Sequence, residues 1–153
     1  MTIDRKRGTI GVLVILALTI AVIVWRWLFP PFPDEEDVIA LYTAHKQEFA
    51  ALSKMIEKHC DGHLMPEAAA LASRVNPRMR VVCDYDGTVR FILGVRGLMT
   101  IGPERIIGLT HFQGDPARKG SVVPALGPHE QEVGYDYLRE VDNHWYVFTQ
   151  NTD

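Results

Sequence analysis

From Gly8 to Trp25 the chain carries no charged residue, and Ile10 to Val24 is aliphatic apart from Gly11 and Thr19. No polar face can be drawn around such a segment, so it does not read as a surface helix of a water-soluble domain. Taken as a helix, residues 9–28 extend roughly 30 Å at about 1.5 Å per residue, the thickness of a bilayer's hydrocarbon core. A helix satisfies its own backbone there, which overrides the strand preference of Val and Ile. Trp25, Trp27 and Phe29 supply an aromatic belt at one end, with Arg26 placed to snorkel. Pro30, Pro31 and Pro33 then end the helix and make residues 29–33 a stiff spacer.

The run is longer than the apolar core of a cleaved signal peptide, and Val24-Trp25-Arg26-Trp27-Leu28-Phe29 has no small residues for a peptidase. An uncleaved anchor is therefore expected. Arg5, Lys6 and Arg7 lie in the basic tail, residues 1–8, whereas Asp34-Glu35-Glu36-Asp37 follows the spacer. The positive-inside rule then places the N-terminus in the cytoplasm and residues 34–153 outside, in the periplasm if the cell is a bacterium with an inner membrane. Ala17 and Ala21 form a small-xxx-small pair of the kind that supports helix dimers, so a homodimer is one expected assembly.

Beyond residue 33 there remain 120 residues, ordinary for one small domain. They carry 12 bases and 18 acids, against four bases and one acid in residues 1–33. A domain of net charge −6 is a poor ligand for phosphate backbones, so nucleic acid is not an expected partner.

Asp34 is a good N-cap, and Val38, Tyr42, His45, Phe49, Leu52 and Ile56 recur at spacings of four and three. This predicts one long amphipathic helix to about His59, with His45 at the core boundary. Pro66 to Arg74 predicts a short second helix ended by Asn76-Pro77. After Pro77 the pattern becomes that of strands. Arg80–Tyr85 and Thr88–Val95 flank Asp86-Gly87, a strong hairpin signal. Arg105–Phe112 reads as a third strand, and Tyr135–Val141 with His144–Thr149 as a second hairpin around Asp142-Asn143. Gln113 to Gly134, rich in Gly and Pro, reads as a long irregular connection of functional type. Helices first and strands after give an α+β domain, with the long helix packed on a mainly antiparallel sheet of about five strands.

The final stretch, Tyr135-Asp136-Tyr137-Leu138-Arg139 followed by Asn143-His144-Trp145-Tyr146-Val147-Phe148, resembles the close of small single-pass envelope proteins of Gram-negative bacteria. There a Tyr-x-x-Leu strand precedes a Gly-x-Trp-Tyr strand; here Asn143-His144 stands at the turn. The resemblance implies the anchor, helix and sheet layout and no activity. Tyr135, Tyr137, Trp145 and Phe148 themselves read either as core or as an exposed recognition strip.

Cys60 and Cys83 are the two cysteines, and outside the cytoplasm such a pair is expected to form a disulfide. His59, Asp61 and His63, with Cys60 and Met65, are the densest run of metal-type ligands, but at no recognised zinc or copper spacing. There is no Gly-x-Ser-x-Gly, Walker or dinucleotide pattern, and no cofactor is expected. Ser121 with His111 or His129 and Asp115 is a triad that can be drawn on paper, of a kind chance supplies in any chain this size, and Glu130 and Glu132 read as solvated.

The composite expectation is a membrane-tethered periplasmic module without catalytic activity that binds another envelope or secreted protein, as an immunity or accessory protein would. Its partner surface would be the 113–134 connection, with Arg118, Lys119 and His129 as a polar rim and Val122, Val123 and Leu126 as apolar residues that either dock on the domain's own sheet or are held for the partner. The alternatives are a small envelope hydrolase and a metal-binding envelope protein.

Overall fold

The computed structural model describes residues 14–25, 31–57, 65–84, 87–96, 104–112, 114–129, 132–134 and 136–152. It divides the chain into two units, Met1–Phe32 and Pro33–Asp153.

In the first unit residues 14–25 form a helix, α1, in which every side chain is exposed. Nine large apolar side chains, from Val14 to Trp25, lie between 47% and 66% exposed. Among the described residues no helix is long and apolar enough to cross a membrane. The rest of the expected span, residues 9–13 and 26–28, lies outside the described residues.

The second unit begins with two helices, α2 (Glu35–Ala44) and α3 (Lys46–Glu57), in place of the single long helix expected. Asp34 caps α2 through a capping box with Asp37, as its position predicted. The break is confined to His45, whose N–H is shared between the carbonyls of Leu41 and Tyr42 while its own carbonyl accepts from Phe49. One non-helical residue leaves the three-and-four periodicity intact, so the sequence pattern does not reveal it. Packing explains it: α2 lies over the third and last strands, whereas α3 turns toward the second. Phe49, Leu52, Ser53 and Ile56 form the buried face of α3. The last helix, α4 (Pro66–Val75), starts at the proline expected and buries Ala68, Ala72 and Val75.

The sheet has six strands rather than about five: β1 (Arg80–Cys83), β2 (Val89–Arg96), β3 (Glu104–His111), β4 (Ser121–Val122), β5 (Asp136–Asp142) and β6 (Trp145–Thr152). Their order is β1-β2-β3-β6-β5-β4, antiparallel throughout except for β4 beside β5. The domain is thus α+β with a mostly antiparallel sheet. The additional strand, β4, arises inside the connection read as irregular, because two residues of it find free ladder positions on β5.

Alternation along the strands gives the sheet two apolar faces. On the helix side the rings of Tyr42, Phe49, Phe91 and Trp145 interlock, with Phe49 edge-on to Phe91 at 5.2 Å and Tyr42 against Trp145 at 5.3 Å. On the other side Phe112, Leu138, Tyr146 and Phe148 cluster, and Arg90 lies over the Phe148 ring. Tyr137, Trp145 and Phe148 are therefore buried, so these three do not form an exposed aromatic strip; Tyr135 lies outside the described residues. The β5–β6 turn closes through His144 at φ 63, a left-handed residue without glycine's freedom.

Candidate functional site

The connection between β3 and β5 is a strap built from short pieces. Asp115 caps a 3-10 turn at Pro116–Arg118 by accepting from the Ala117 N–H at 3.0 Å. Gly120 then passes so close to β5 that a Cβ there would fall 2.4 Å from the Asp136 carbonyl oxygen. This contact sets β4 on β5, and Val123 continues the ladder by donating to the Leu138 carbonyl at 2.8 Å. A second 3-10 turn, Gly127–His129, follows.

Two side-chain constellations fasten the middle and end of the strap. Glu35, in the first turn of α2 and only 8% exposed, accepts the Leu126 N–H at 2.9 Å on one oxygen and pairs with Arg139 of β5 through the other. A carboxylate is stabilised at that position by the positive end of the helix. Further on, Glu132 accepts from the Tyr137 hydroxyl and pairs with His129 at 2.9 Å, and the His129 ring stacks on Tyr137 at 4.4 Å. The Tyr137 hydrogen bond, and after it His129, hold the Glu132 carboxyl below its usual range.

The expected partner residues are distributed unevenly on this frame. Arg118 and Val122 are exposed, Val122 at 49%. Lys119, Val123 and His129 are half-buried. Leu126 is 0% exposed and is a core residue in the closed strap, so of the two readings of the strap's apolar residues this side chain takes docking on its own domain. Its Gly and Pro neighbours fix no orientation in the sequence; in the fold its N–H meets Glu35, 91 residues away, beside the buried side chain. Glu35 and Arg139 are the residues that sequence reading missed. Acids in a first helical turn are so common that Glu35 carries no distinguishing signal.

The triad drawn from the sequence is not assembled. Asp115 is used in its cap, His129 pairs with Glu132, and Ser121 is exposed on β4. His111 instead meets Ser53 Oγ at 2.8 Å and Glu57 Oε1 at 3.0 Å, and Ser53 donates to Glu57 at 2.9 Å. The (i, i+4) spacing of Ser53 and Glu57 puts both on one face of α3. Both oxygens converge on Nδ1, however, whereas a nucleophilic relay needs the hydroxyl on one ring nitrogen and the acid on the other. Ser53 is also only 2% exposed. The cluster is a polar clasp tying α3 to β3 beside the Trp145 ring.

Among the described residues no group of three His, Cys, Asp or Glu is arranged to hold a metal ion. His59, Cys60, Asp61 and His63 lie outside the described residues, as does Glu130. Cys83, half-buried at the end of β1, is not a free thiol. A cleft between Arg90, Lys119, Asp136 and Phe148 offers about 10 Å³, the room of about one water molecule. Burial raises the Asp136 carboxyl there, against the pull of Arg90. No family model, no curated protein and no solved structure matches this chain.

Proposed function

We propose that the chain is a single-pass, membrane-tethered protein-binding module. Residues 9–28 are its anchor, residues 1–8 are cytoplasmic, and residues 34–153 stand outside the inner membrane of a bacterial envelope. The observation that carries the reading is the uncharged run from Gly8 to Trp25, whose described part is helical and exposes every side chain. A helix with nine exposed large apolar side chains is stable only when something apolar surrounds it, and the whole uncharged run, taken as a helix over residues 9–28, has the length that lipid requires. The acidic flank after the spacer and the basic flank before the run set the orientation. The resemblance of the final hairpin to Gram-negative envelope proteins supports the same placement.

In this reading the strap is the partner surface. Val122 on β4 and Val133, shortly before β5 in the chain, are its exposed large apolar residues, with Arg118 at the rim. Cys60 and Cys83 form a disulfide in the oxidising compartment. The activity is binding, as for an immunity protein or an accessory subunit of an envelope complex.

The test is site-specific photo-crosslinking in intact cells, combined with labelling by a membrane-impermeant reagent. A crosslinker at Val122 should trap one envelope or secreted protein, and cysteines introduced at exposed positions of 34–153 should be labelled only from outside the inner membrane. Labelling from the cytoplasmic side would overturn the orientation. Absence of a trapped partner at both Val122 and Arg118 would overturn the binding reading.

A further inference from the structure

We propose that the strap is a latched lid: Glu35 holds it closed over Leu126, and the open form presents Leu126 to the partner. This rests on the reading of the strap as the partner surface. The partner it fits is a protein with an apolar pocket large enough for Leu126 and Val122, which become neighbours on one exposed segment when the lid lifts.

Little holds the centre of the strap. Among the described residues, one hydrogen bond ties the stretch from Pro124 to Pro128 to the rest of the domain, the Leu126 N–H to Glu35 at 2.9 Å. The remaining bonds at its ends are the ladder step from Val123 to Leu138 and the local turn from His129 to Leu126. Pro124 and Pro128 have no N–H to donate, so two possible attachment points are missing by composition. Against this sparse bonding stands a fully buried leucine. A segment with few backbone bonds and one anchoring side chain is the kind that opens locally while the domain around it stays folded.

The latch is electrostatic and sits on another element. Glu35 is nearly buried, and its second oxygen is fixed by Arg139 on β5. Arg139 also reaches Glu36, which keeps the guanidinium in place. Strap, helix α2 and strand β5 therefore meet at one carboxylate. Weakening that carboxylate loosens the strap without removing any residue of the aromatic core, since Tyr42, Phe49, Phe91 and Trp145 lie elsewhere along the sheet. A partner that binds only the open form pays for opening in its apparent affinity, which falls by the fraction of open molecules. The closed lid in turn hides Leu126 until the partner is present.

Amide hydrogen exchange on the full chain in lipid nanodiscs, read by mass spectrometry, tests the latch. In Glu35→Gln, peptides covering residues 121–129 should exchange on the order of 100-fold faster, while those of β2, β3 and β6 keep their protection. Leu126→Ala, which leaves Glu35 and Arg139 paired, should free the same peptides. In cells, a crosslinker at Val122 should then capture more partner in the Glu35→Gln background than in the wild type. Unchanged exchange in the strap overturns the latch, and so does acceleration spread equally over β2, β3 and β6. Faster strap exchange with capture at Arg118 but none at Val122 overturns the proposal alone, and no capture at either position overturns it together with the binding reading. Slow strap exchange with undiminished capture overturns the latch alone.

Discussion

Tyr42 donates its hydroxyl to Asp142 at 3.0 Å, tying the end of α2 to the turn between β5 and β6. Lys46, in the first turn of α3, pairs with the same carboxylate, and the Asn143 N–H donates to its other oxygen at 2.9 Å. One aspartate thus gathers two helices and a hairpin turn at one end of the sheet. Burial, then the hydrogen bond to Asp142 and its charge, push the Tyr42 hydroxyl far above its usual range, so the tyrosine remains a donor at every physiological pH.

This arrangement makes the acid limb of stability specific. The Lys46 pair, the Asn143 N–H and the Tyr42 hydroxyl lower the Asp142 carboxyl from 3.8 to about 2. A group whose folded value is depressed stabilises the fold above its unfolded value and loses that contribution as pH falls toward the folded one. The Asp142 contribution is therefore complete above about pH 4 and lost between there and about pH 2. Asp142→Asn should lower the melting temperature at neutral pH and flatten its dependence in that window. Circular-dichroism melts of both proteins between pH 2 and 7 check this, and parallel acid limbs would refute it.

Gly120 is the second point of leverage. Any side chain there drives a Cβ into the Asp136 backbone, which cannot yield as a flexible side chain would. Gly120→Ala should cost about 1–3 kcal/mol, typical of overpacking, and should act by lifting β4 from β5. The expected signature is loss of amide protection at Val123, whose N–H bonds to Leu138, with β3 and β6 unaffected. Retained protection at Val123 would show that the close approach is not needed for the parallel pairing.

His144 offers the opposite sign. It holds φ 63 in the β5–β6 turn, the only non-glycine residue with positive φ among those described. The left-handed conformation costs an L-residue about 1–2 kcal/mol, less glycine's extra chain entropy. His144→Gly should accordingly stabilise the domain by about 0.5–1 kcal/mol. The Phe112 N–H bonds to the His144 carbonyl and survives the change. Urea unfolding measures the difference; a destabilised variant would mean that the imidazole itself contributes to the turn.

The cysteines give a chemical test. A Cys60–Cys83 bridge would close a loop of about 24 residues, worth roughly 3 kcal/mol on the chain-entropy account. Intact mass under non-reducing conditions should show both thiols consumed, and Cys60→Ser should lower stability by roughly that amount. Two alkylatable thiols in protein recovered from the periplasmic side would exclude the bridge.

Sequence alone determined the elements whose signals are local. Asp34 caps α2, Pro66 opens α4, and alternating apolar residues mark β2, β3 and β6 to within a residue or a few at their ends. Capping, proline geometry and two-residue alternation each act within a few residues, so they are legible without the fold. The uncharged run from Gly8 to Trp25 is legible for the same reason.

Tertiary structure decided what depends on residues far apart in the chain. The break at His45 follows the strands beneath it, and β4 exists because β5 offers it a ladder. Leu126 is core rather than surface in the fold that also brings its N–H to Glu35, and Ser53 meets His111 because α3 packs on the sheet at β2, beside β3. A hydrogen bond spanning 91 residues leaves no periodic trace, since its partners are fixed by the packing of helices on a sheet. The strap was marked in the sequence by its glycines and prolines; which of its residues face outward was set by its attachments to Glu35, β5 and Tyr137, all on other elements.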